Sequence, residues 1–554
     1  MKKIFIAILL LISSAVYSQY ELQWYATYDN PHPSYIDYAI DLAEDNSGNT
    51  YVTGSSFQIG VAEDWRYDYA TIKYNTNGDS LWVRRYNSTG EDIAEEIGID
   101  GQNNIYITGS SYVHSRSEIT TVKYDAEGNL LWGRSYYDSI YNPQLMVNDM
   151  LVEVTGNVYL VCTYHGYSEI SEIIKYNANG EIVWIGKFFR RPDDVNVLHS
   201  LDVDNYGNVY ATGYAIDSAS NNLDLLIVKF NTNGSLEWVV RKDLTNEDIG
   251  YTVKTDNYGN VYIAGYSRLD NYNHDMKLLK YNSSGEQRWI KSYEGINDGT
   301  EFYFYEKRKM LLLDNTGNVC LNFMVHNNGI YNNNDIATAK YNSSGDLLWI
   351  NKYNCNNGEF PSFEETKDMK IDRSNNIYVT GISRFDTTGN SFVILKYDSA
   401  GVLKNIVRNK DQFRNNFIPL SLSVKDNGDI TSTGATIVSN TGWEITDYLT
   451  VKYSNTTGLN TLSNSIPDKF RLDQNYPNPF NPATSISYSL GEPGLVSLKI
   501  FDILGKEISS LVNEKQNAGS HVVEFKGEGL PSGIYLYSLE SGKFSATKRM
   551  ILLK

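Results

Sequence analysis

The residue types that most often carry catalysis are few in this chain, and they do not fall at the spacings that reactions require. The 554 residues include seven histidines, with no His-Glu-x-x-His pair or other metal-ligand spacing. Neither a Gly-x-Ser-x-Gly nucleophile elbow nor a phosphate-binding loop occurs. Cys162, Cys320 and Cys355 are too few for a disulfide framework and are interpreted as separate thiols, although a Cys162–Cys320 pair stays open. The sequence therefore predicts no catalytic, metal-binding or cofactor-binding residue.

Carboxylates are the abundant reactive group. The chain has 66 acidic and 48 basic residues and a net charge of −18, so nucleic acid and anionic membrane surfaces are poor partners. Repeated Asp-x-x-Gly-Asn segments suggest Ca²⁺, but they lack the spaced oxygens and the closing Glu of a calcium loop. A turn-forming Asp is the preferred interpretation. A carboxylate pair for glycoside hydrolysis stays an alternative, because so many acidic residues allow a pair at many places.

The elements that position these residues repeat along the chain. Residues 123–132 read KYDAEGNLLW, and the same Lys–Gly–Trp spacing starts again at residues 73, 175, 229, 280 and 340, with weaker copies at 396 and 452. This period of 50 to 60 residues indicates a repeat architecture. Periods of about 40 to 50 residues are typical of propeller blades. Each copy predicts a hairpin, because β-branched and aromatic runs flank a Gly that suits the positive φ of a tight turn.

A second repeated segment lies upstream of each copy and predicts another hairpin. Clear examples are residues 45–54 (DNSGNTYVTG), 204–213 (DNYGNVYATG) and 256–265 (DNYGNVYIAG), whereas the units at Gly156 and Asp314 are degraded. One unit therefore consists of strand a, an Asp turn, strand b, a long loop, strand c, a Gly turn and strand d, which is one propeller blade. Both faces of the strands are bulky, so the blades are predicted to pack face to face with the Trp of strand d between them.

The number of strands decides how the ring closes. Eight units supply strands a, b and c, but only seven are followed by a strand d. The missing strand is near the start of the chain, where residues 22–28 match residues 81–86. A chain that starts on strand d and ends on strand c pairs its two ends in one shared blade and leaves no free sheet edge. The sequence thus predicts an all-β protein whose β-propeller has eight blades, with seven as the alternative.

Residues 23–458 resemble the SBBP β-propeller repeat of secreted bacterial proteins, a family defined by its repeat and by no reaction. The Gly-x-x-x-Trp spacing is also similar to the tryptophan repeats of pyrroloquinoline-quinone dehydrogenases. The adjacent cysteines that many of those enzymes carry do not occur here, and no cofactor site maps onto this sequence. Sialidase Asp-boxes place Gly three residues before Trp, whereas this sequence places it four residues before.

Residues 1–18 predict a secretory signal peptide. Lysines at positions 2 and 3 precede an apolar run at residues 4–11, and cleavage is expected between Ser18 and Gln19. No Cys follows the apolar run, so a lipoprotein anchor is not expected. No other stretch reaches the ~18 apolar residues that a membrane-spanning segment needs. The propeller is therefore assigned to residues 19–458 of an exported protein.

The composition changes after Gly458. Residues 459–467 form a short polar linker, and residues 468–554 form a separate segment. This segment opens with three prolines in six residues, which exclude a helix there. Alternating apolar and polar residues follow at 496–501, 521–525 and 533–539. Short strands separated by turn residues predict a small Ig-like β-sandwich.

This segment closely resembles the type A C-terminal sorting domain of the type IX secretion system of Bacteroidota and their relatives. The matching motifs are NYPNPFNP at 475–482, FDILGK at 501–506, LPSGIY at 530–535 and KRMILLK at 548–554. By this resemblance the residues of the sorting motif are Asn475, Tyr476, Pro477, Asn478, Pro479, Phe480, Asn481, Pro482, Gly505, Gly533, Tyr535, Lys548 and Lys554. The resemblance implies a signal that the type IX machinery reads at the outer membrane, and that is usually cleaved as the cargo is released or attached to the surface.

The sequence predicts an exported, non-enzymatic propeller, at the cell surface or in the medium, that binds a partner through its long b–c loops. Residues 55–68, 214–223 and 327–334 are examples of these loops. They are rich in Tyr, Asn and Asp, which suits polar ligands such as glycans, or a protein. The alternative for these loops is that they are solvated connections that bind no partner. The alternative function is a secreted enzyme at one mouth of the ring, either a glycan hydrolase or lyase or a quinoprotein-like dehydrogenase.

Overall fold

In the computed structural model of the chain, all regular structure of the described residues is β-strand, which confirms the all-β prediction. The predicted signal peptide, with Ser18 and Gln19, and the predicted linker 459–467 lie outside the described residues. The described residues are 20–29, 36–59, 65–88, 90–113, 116–137, 144–165, 169–188, 195–216, 222–268, 274–293, 310–326, 334–355, 363–384, 391–408, 417–439, 445–455, 471–472, 475, 480, 482–490, 493–503, 505–516, 519–527 and 529–552.

Within those ranges, no helix has the length and apolar character needed to cross a membrane. The chain forms two compact units, Met1–Thr456 and Thr457–Lys554. The described strands of the first unit are β1 (Tyr20–Tyr28), β2 (Asp37–Glu44), β3 (Thr50–Ile59), β4 (Trp65–Tyr74), β5 (Ser80–Tyr86), β6 (Glu91–Ile99), β7 (Ile105–Val113), β8 (Arg116–Tyr124), β9 (Leu130–Tyr136), β10 (Gln144–Val152), β11 (Val158–His165), β12 (Ile170–Tyr176), β13 (Ile182–Lys187), β14 (Asn196–Val203), β15 (Val209–Ile216) and β16 (Leu223–Phe230). The first unit continues with β17 (Leu236–Lys242), β18 (Glu247–Thr255), β19 (Val261–Arg268), β20 (His274–Tyr281), β21 (Gln287–Tyr293), β22 (Leu311–Leu313), β23 (Val319–His326), β24 (Asn334–Tyr341), β25 (Leu347–Tyr353), β26 (Phe363–Ile371), β27 (Ile377–Arg384), β28 (Ser391–Tyr397), β29 (Leu403–Arg408), β30 (Phe417–Val424), β31 (Ile430–Ser439) and β32 (Ile445–Asn455).

These strands form eight four-stranded antiparallel groups, which we call blades 1 to 8. Blades 1 to 7 take consecutive strands, from β2–β5 through β26–β29, and blade 8 combines β30, β31 and β32 with β1. The a strands contact one another in a closed cycle, in the order β2, β6, β10, β14, β18, β22, β26, β30 and back to β2. A closed cycle of radially arranged antiparallel sheets is a β-propeller, as predicted.

The a–b turns use Asp as the acceptor that holds the turn. In blade 1, Gly48 N donates to Asp45 O at 3.0 Å, and Gly48 has a φ of 87°. Asp45 Oδ1 accepts from Ser47 N and Asn49 N at 2.9 and 2.8 Å. Its Oδ2 accepts from the Tyr51 hydroxyl at 3.1 Å. Donors of its own hairpin therefore surround the Asp45 carboxylate, which gives this residue a turn-forming role.

The two units that look degraded in the sequence keep the same turn. Gly156 N donates to Glu153 O at 2.8 Å, and Gly317 N donates to Asp314 O at 3.0 Å. In the first of them a Glu replaces the usual Asp, and Glu153 Oε2 accepts from Asn157 Nδ2 at 2.7 Å. The loss of the sequence pattern at these units therefore does not mean the loss of the hairpin.

In every blade except blade 7, the tryptophan of strand d joins the blade to the next one. Trp82 Nε1 and Lys73 Nζ of blade 1 both donate to Ala126 O of blade 2, at 3.2 and 2.7 Å. The Trp82 ring also lies against the c–d turn of blade 2, where a Cβ on Gly128 would come within 2.9 Å of it. The predicted inter-blade role of this tryptophan is confirmed. Equivalent indole–carbonyl bonds are made by Trp24, Trp132, Trp184, Trp238, Trp289 and Trp349.

The variant Gly128→Val is expected to lower the melting temperature of the propeller. Gly128 has a φ of 82°, where a branched side chain costs roughly 1–3 kcal/mol of strain, and its new Cβ would also push against Trp82. Gly317→Val is the matched control, because Gly317 has a φ of 79° but no atom within 4 Å of its would-be Cβ. Thermal unfolding should show a larger loss at Gly128. Equal losses would mean that the Trp82 contact contributes nothing.

Strand β1 closes the ring in the way that the sequence predicts. Trp24 of β1 lies opposite Lys452 of β32, just as Trp82 lies opposite Lys73 within blade 1. Trp24 Nε1 donates to Thr76 O of blade 1 at 3.0 Å, which repeats the inter-blade bond at the point of closure. The first and last strands of the propeller are therefore paired, and the contact to blade 1 is of the same kind as elsewhere in the ring.

Closure also explains the missing tryptophan of blade 7, where Asn405 occupies the position. In the other blades this tryptophan bonds to the c–d turn of the next blade. Blade 8 has no c–d turn, because its strands c and d, β32 and β1, come from opposite ends of the propeller. Tyr20 of β1 lies at this boundary instead. Its ring centroid is 5.6 Å from Lys396 Nζ, and its hydroxyl donates to Gly428 O at 3.0 Å.

A bulge and an acidic residue recur in strand a. In blade 1 the pairing of β2 with β3 skips one residue before Asp41, and Asp41 Oδ2 accepts from Ile97 N of blade 2 at 3.3 Å. Ser421 Oγ of blade 8 donates to Asp41 Oδ1 at 2.6 Å, which ties the last blade to the first. The same use of a carboxylate is made by Glu96, Asp149 and Asp368, each of which accepts from a backbone N–H of the next blade at 2.8 to 2.9 Å. These acidic residues hold the ring together at its centre.

None of the three cysteines, all of which lie in the described part of the chain, forms a disulfide bond. Cys162 lies in blade 3 and Cys320 in blade 6, so the alternative of a bond between them is wrong. Burial raises the pKa of Cys320 to about 12 and that of Cys355 to about 11. Both thiols are therefore protonated at neutral pH, and a protonated thiol is a poor nucleophile.

The second unit is the small β-sandwich that the sequence predicts. Its described strands form one sheet in the order β33–β34–β37 and another in the order β36–β35–β38–β39. Their side chains share one core, to which Ile486, Leu498 and Tyr537 contribute. The strands are β33 (Arg471–Leu472), β34 (Ala483–Leu490), β35 (Gly494–Asp502), β36 (Glu507–Gln516), β37 (Gly519–Lys526), β38 (Gly533–Ser541) and β39 (Phe544–Leu552).

Candidate functional site

The first part of the predicted sorting motif is anchored in the core of the sandwich. Asn475 is buried, its backbone N donates to the Tyr537 hydroxyl at 2.8 Å, and its Nδ2 donates to Thr484 Oγ1 at 2.9 Å. Phe480 is buried in the same core, and its backbone N donates to Ile551 O at 2.9 Å. These two residues fix the entry of the chain into the sandwich. Four of their neighbours, Tyr476, Pro477, Asn478 and Pro479, and also Asn481, lie outside the described residues.

The remaining motif residues lie at turns and on the strands of the second sheet. Gly505 has a φ of 81° in the turn between β35 and β36, where a side chain would be strained. Gly533 begins β38, and the hydroxyl of buried Tyr535 donates to Pro531 O at 2.8 Å. Pro482 is exposed before β34, Lys548 is part-buried on β39, and Lys554 lies outside the described residues. The described motif residues thus hold turns and core contacts of one sandwich.

In the propeller, the edge from which the b–c connections leave is the predicted binding edge. The connections are shorter than the sequence suggests, because strands run into them. Residues 55–59 belong to β3 and residues 65–68 to β4, with Ile59 opposite Trp65. Likewise, Tyr214 belongs to β15. The predicted loops are too long because bulky residues continue to alternate beyond the predicted strand ends, and cross-strand contacts between them keep the strands paired there. Residues 60–64, 217–221 and 327–333 lie outside the described residues.

Four aromatic rings of blades 4 and 5 meet near this edge. His199 and Tyr251 are the extra residues of the strand-a bulges in β14 and β18. Their rings stack at 5.0 Å with an angle of 10°. Tyr214 extends the row on the side of His199 at 5.6 Å, and Tyr266 extends it on the side of Tyr251 at 5.7 Å. We call these four residues the aromatic row. All four side chains are part-buried, so the row is only partly accessible to solvent.

Charged side chains border the aromatic row. The Tyr214 hydroxyl donates to Glu169 Oε2 at 2.9 Å, and Glu169 Oε1 lies 3.0 Å from His165 Nδ1. On the side of blade 5, Arg268 binds both carboxylate oxygens of Glu247 at 2.9 and 3.0 Å. The row therefore combines ring surfaces with a hydroxyl, carboxylates and a guanidinium, which are the groups that fix polar ligands.

The titratable rings of the row are not tuned for proton transfer at neutral pH. Burial lowers the pKa of His199 to about 4, so the imidazole is neutral. His199 Nδ1 lies 3.0 Å from Gly250 O, and a carbonyl only accepts, so Nδ1 carries the proton and Nε2 is an acceptor. Burial, together with Glu169, raises the pKa of Tyr214 far above neutral. General acid–base groups work best with a pKa near the operating pH, which neither ring has.

Sequence reasoning missed His199, Tyr251 and Tyr266, whereas Tyr214 begins one of the predicted binding loops. Strand a carries no repeated motif, and a bulge is visible only once the pairing partner of each residue is known.

Carboxylates at the centre of the ring are occupied as inter-blade acceptors. In the described part of the chain, no group of three or more His, Cys, Asp or Glu side chains is placed to hold a metal ion.

Comparisons with known proteins identify the second unit. Residues 474–553 match the family of secretion system C-terminal sorting domains. This match confirms that the chain carries a sorting domain at its C-terminal side, and it indicates export to the cell surface or into the medium. No curated protein sequence matches the chain.

Several solved structures are similar to the chain at low identity. The surface component PorZ of the type-IX secretion system of Porphyromonas gingivalis is 11% identical over 93% of this chain and 81% of its own, with a TM-score of 0.32. Sqt1 from Chaetomium thermophilum is 9% identical over 73% of this chain and 95% of its own, with a TM-score of 0.45. The WD40 domain of SCAP from fission yeast is 10% identical over 78% of this chain and 98% of its own, with a TM-score of 0.39. The propeller fold itself is established by the strand pairing and the closed cycle of a strands.

Proposed function

We propose that the protein is an exported, non-enzymatic binding scaffold that leaves the cell through the type IX secretion system. The observation that carries the export is the sorting-domain match over residues 474–553. The type IX machinery is then the partner of the second unit, and the motif residues from Asn475 to Lys554 are the segment it reads. The propeller is the cargo, and we assign its blades to the SBBP type of repeat.

The binding role of the propeller rests on the aromatic row at the b–c edge. A rigid scaffold lowers the entropic cost of presenting a binding surface, and the bonds between blades hold this scaffold in one arrangement. The row offers ring surfaces next to Glu169 and Arg268, so a polar ligand such as a glycan suits it. Acid–base catalysis at the row is disfavoured, because burial shifts the pKa values of His199 and Tyr214 away from neutral in opposite directions.

Binding to a glycan array tests this proposal with protein that spans residues 19–554. Tyr214→Phe and Glu169→Gln each remove one polar group and keep the size of the side chain. Each is expected to weaken binding about tenfold, because a lost hydrogen bond to a ligand costs roughly 1 kcal/mol or more. Tyr112→Phe is the control, since Tyr112 is an exposed tyrosine of blade 2 outside the row.

A hydrolase and lyase screen on the same protein separates binding from catalysis. Turnover of a glycan by the wild type that Glu169→Gln abolishes would replace the binding role with the alternative of a secreted enzyme. Binding that neither substitution changes would remove the row from the function.

A further inference from the structure

The edge opposite the b–c connections carries the a–b turns, and their third residue projects from each turn. In blades 4 and 5 this residue is a tyrosine, and Tyr206 and Tyr258 expose 72% and 86% of their surface. The hairpin does not need an aromatic residue there, because the other turns form with small or polar side chains. Those are Ser47, Gln102, Thr155, Thr316, Ser374 and Asn427.

Both tyrosines stand on turns whose backbone is fixed. Tyr206 N donates to Asp204 Oδ1 at 2.9 Å, and Tyr258 N donates to Asp256 Oδ1 at 2.9 Å. Each Asp is held in turn by a tyrosine hydroxyl of strand b, at 3.1 Å in blade 4 and 3.2 Å in blade 5. The two rings are therefore presented by rigid backbone, so a ligand that covers them pays little ordering entropy.

The two turns also touch each other. Asn205 Nδ2 donates to Asn257 Oδ1 at 3.2 Å, and both asparagines are exposed beside the tyrosines. Within the described residues, Asn205 Oδ1 can then accept a hydrogen bond from a ligand, and Asn257 Nδ2 can donate one to it. Two exposed rings and two amide groups thus lie on two bonded turns at the boundary between blades 4 and 5, and we call these four residues the tyrosine platform.

We infer that the tyrosine platform binds a neutral polysaccharide chain. The C–H faces of pyranose units pack against tyrosine rings, and sugar hydroxyls bond to amide groups, so rings and amides together suit an uncharged sugar. The net charge of −18 disfavours an anionic polymer. A protein partner fits less well, because a protein interface covers about 800 Å² on each side with an apolar centre, whereas polar turns surround these two rings.

This inference is independent of the aromatic row, since the platform residues lie in the a–b turns and the row residues lie within strands. Affinity gel electrophoresis of protein that spans residues 19–554 tests it with three neutral polysaccharides as probes: a soluble β-1,4-glucan, amylose and a β-1,4-mannan. Polygalacturonate serves as the anionic probe. Wild-type protein is expected to be retarded by at least one neutral polysaccharide and not by polygalacturonate.

Single variants Tyr206→Ala and Tyr258→Ala should each weaken that retardation about tenfold, as expected for the loss of one stacked ring. The double variant should abolish it. Tyr112→Ala should leave it unchanged, because Tyr112 is an exposed tyrosine of blade 2 outside both the platform and the aromatic row. Retardation that Tyr214→Phe weakens and the platform variants do not would place the binding at the aromatic row and overturn the inference, so the two sites are told apart. Both tyrosines of the platform are exposed, so the variants should keep the wild-type melting temperature.

Three results would overturn the inference. The first is a wild type that none of the neutral polysaccharides retards. The second is a double variant that is retarded as strongly as the wild type. The third is a pair of results: no polysaccharide binds, and a partner protein binds the wild type but not the double variant. That pair would make the platform a protein interface.

Discussion

A chain that lacks residues 468–554 is expected to fold its propeller and to remain in the periplasm. The reason is that each sheet is built wholly from one of the two units, so removing the second unit takes no strand from the ring. Export across the inner membrane needs only the predicted signal peptide. The sorting domain that spans residues 474–553 is the part that a secretion system reads. Fractionation of cells into periplasm, surface and medium measures the result.

A reporter provides the complementary experiment. A fluorescent protein placed between a signal peptide and residues 459–554 should reach the surface or the medium, but only in a host that has the type IX machinery. Mature wild-type protein should be cut near residues 459–467. Normal secretion of the deletion variant would remove the sorting role and leave the sandwich as an accessory module.

Deletion of residues 19–28 is expected to destabilise the propeller by several kcal/mol and to make it aggregate. The deletion removes strand β1, of which eight residues are in register with β32. It also removes Trp24, which bonds to blade 1, and it leaves β32 as an unpaired sheet edge. Exposed edges of this kind pair with other chains. Thermal unfolding and light scattering measure the two effects.

A synthetic peptide tests whether the strand itself is responsible. The peptide of residues 19–28, added to the deletion variant, should restore the melting temperature and suppress aggregation, whereas a scrambled peptide should do neither. An intact melting temperature in the deletion variant without peptide would show that blade 8 does not depend on β1.

Much of the propeller could be predicted because its determinants are local. The Asp and the Gly of the a–b turn fix a hairpin through contacts within a few residues, as Asp45 and Gly48 show. The c–d turn is fixed in the same way, with Gly128 N donating to Asp125 O. The match between residues 22–28 and the other d strands was sufficient to predict closure, since a missing strand must be supplied from somewhere in the chain. The small sandwich and its sorting motifs could be recognised for the same reason.

The strand ends and the candidate binding surfaces could not be predicted in this way. Residues 55–59 were interpreted as a loop, but they continue β3 because the partner strand β4 also extends. Tyr206 and Tyr258 stood in the repeated turns, yet the sequence alone did not show that the third turn position projects into solvent. That position could have provided a signal, because a large aromatic residue replaces the small or polar residues of the other turns.

The sequence by itself determined the fold class, the repeat, the pairing of the two ends of the propeller and the presence of a sorting domain, because hairpins and motifs are encoded by neighbouring residues. Only the tertiary structure decided which side chains of different blades meet. The stack of His199 on Tyr251 depends on two bulges about fifty residues apart. The bond between Asn205 and Asn257 depends on the packing of two blades. Contacts of this kind follow from how blades are packed around the ring, and no local pattern in the chain specifies them.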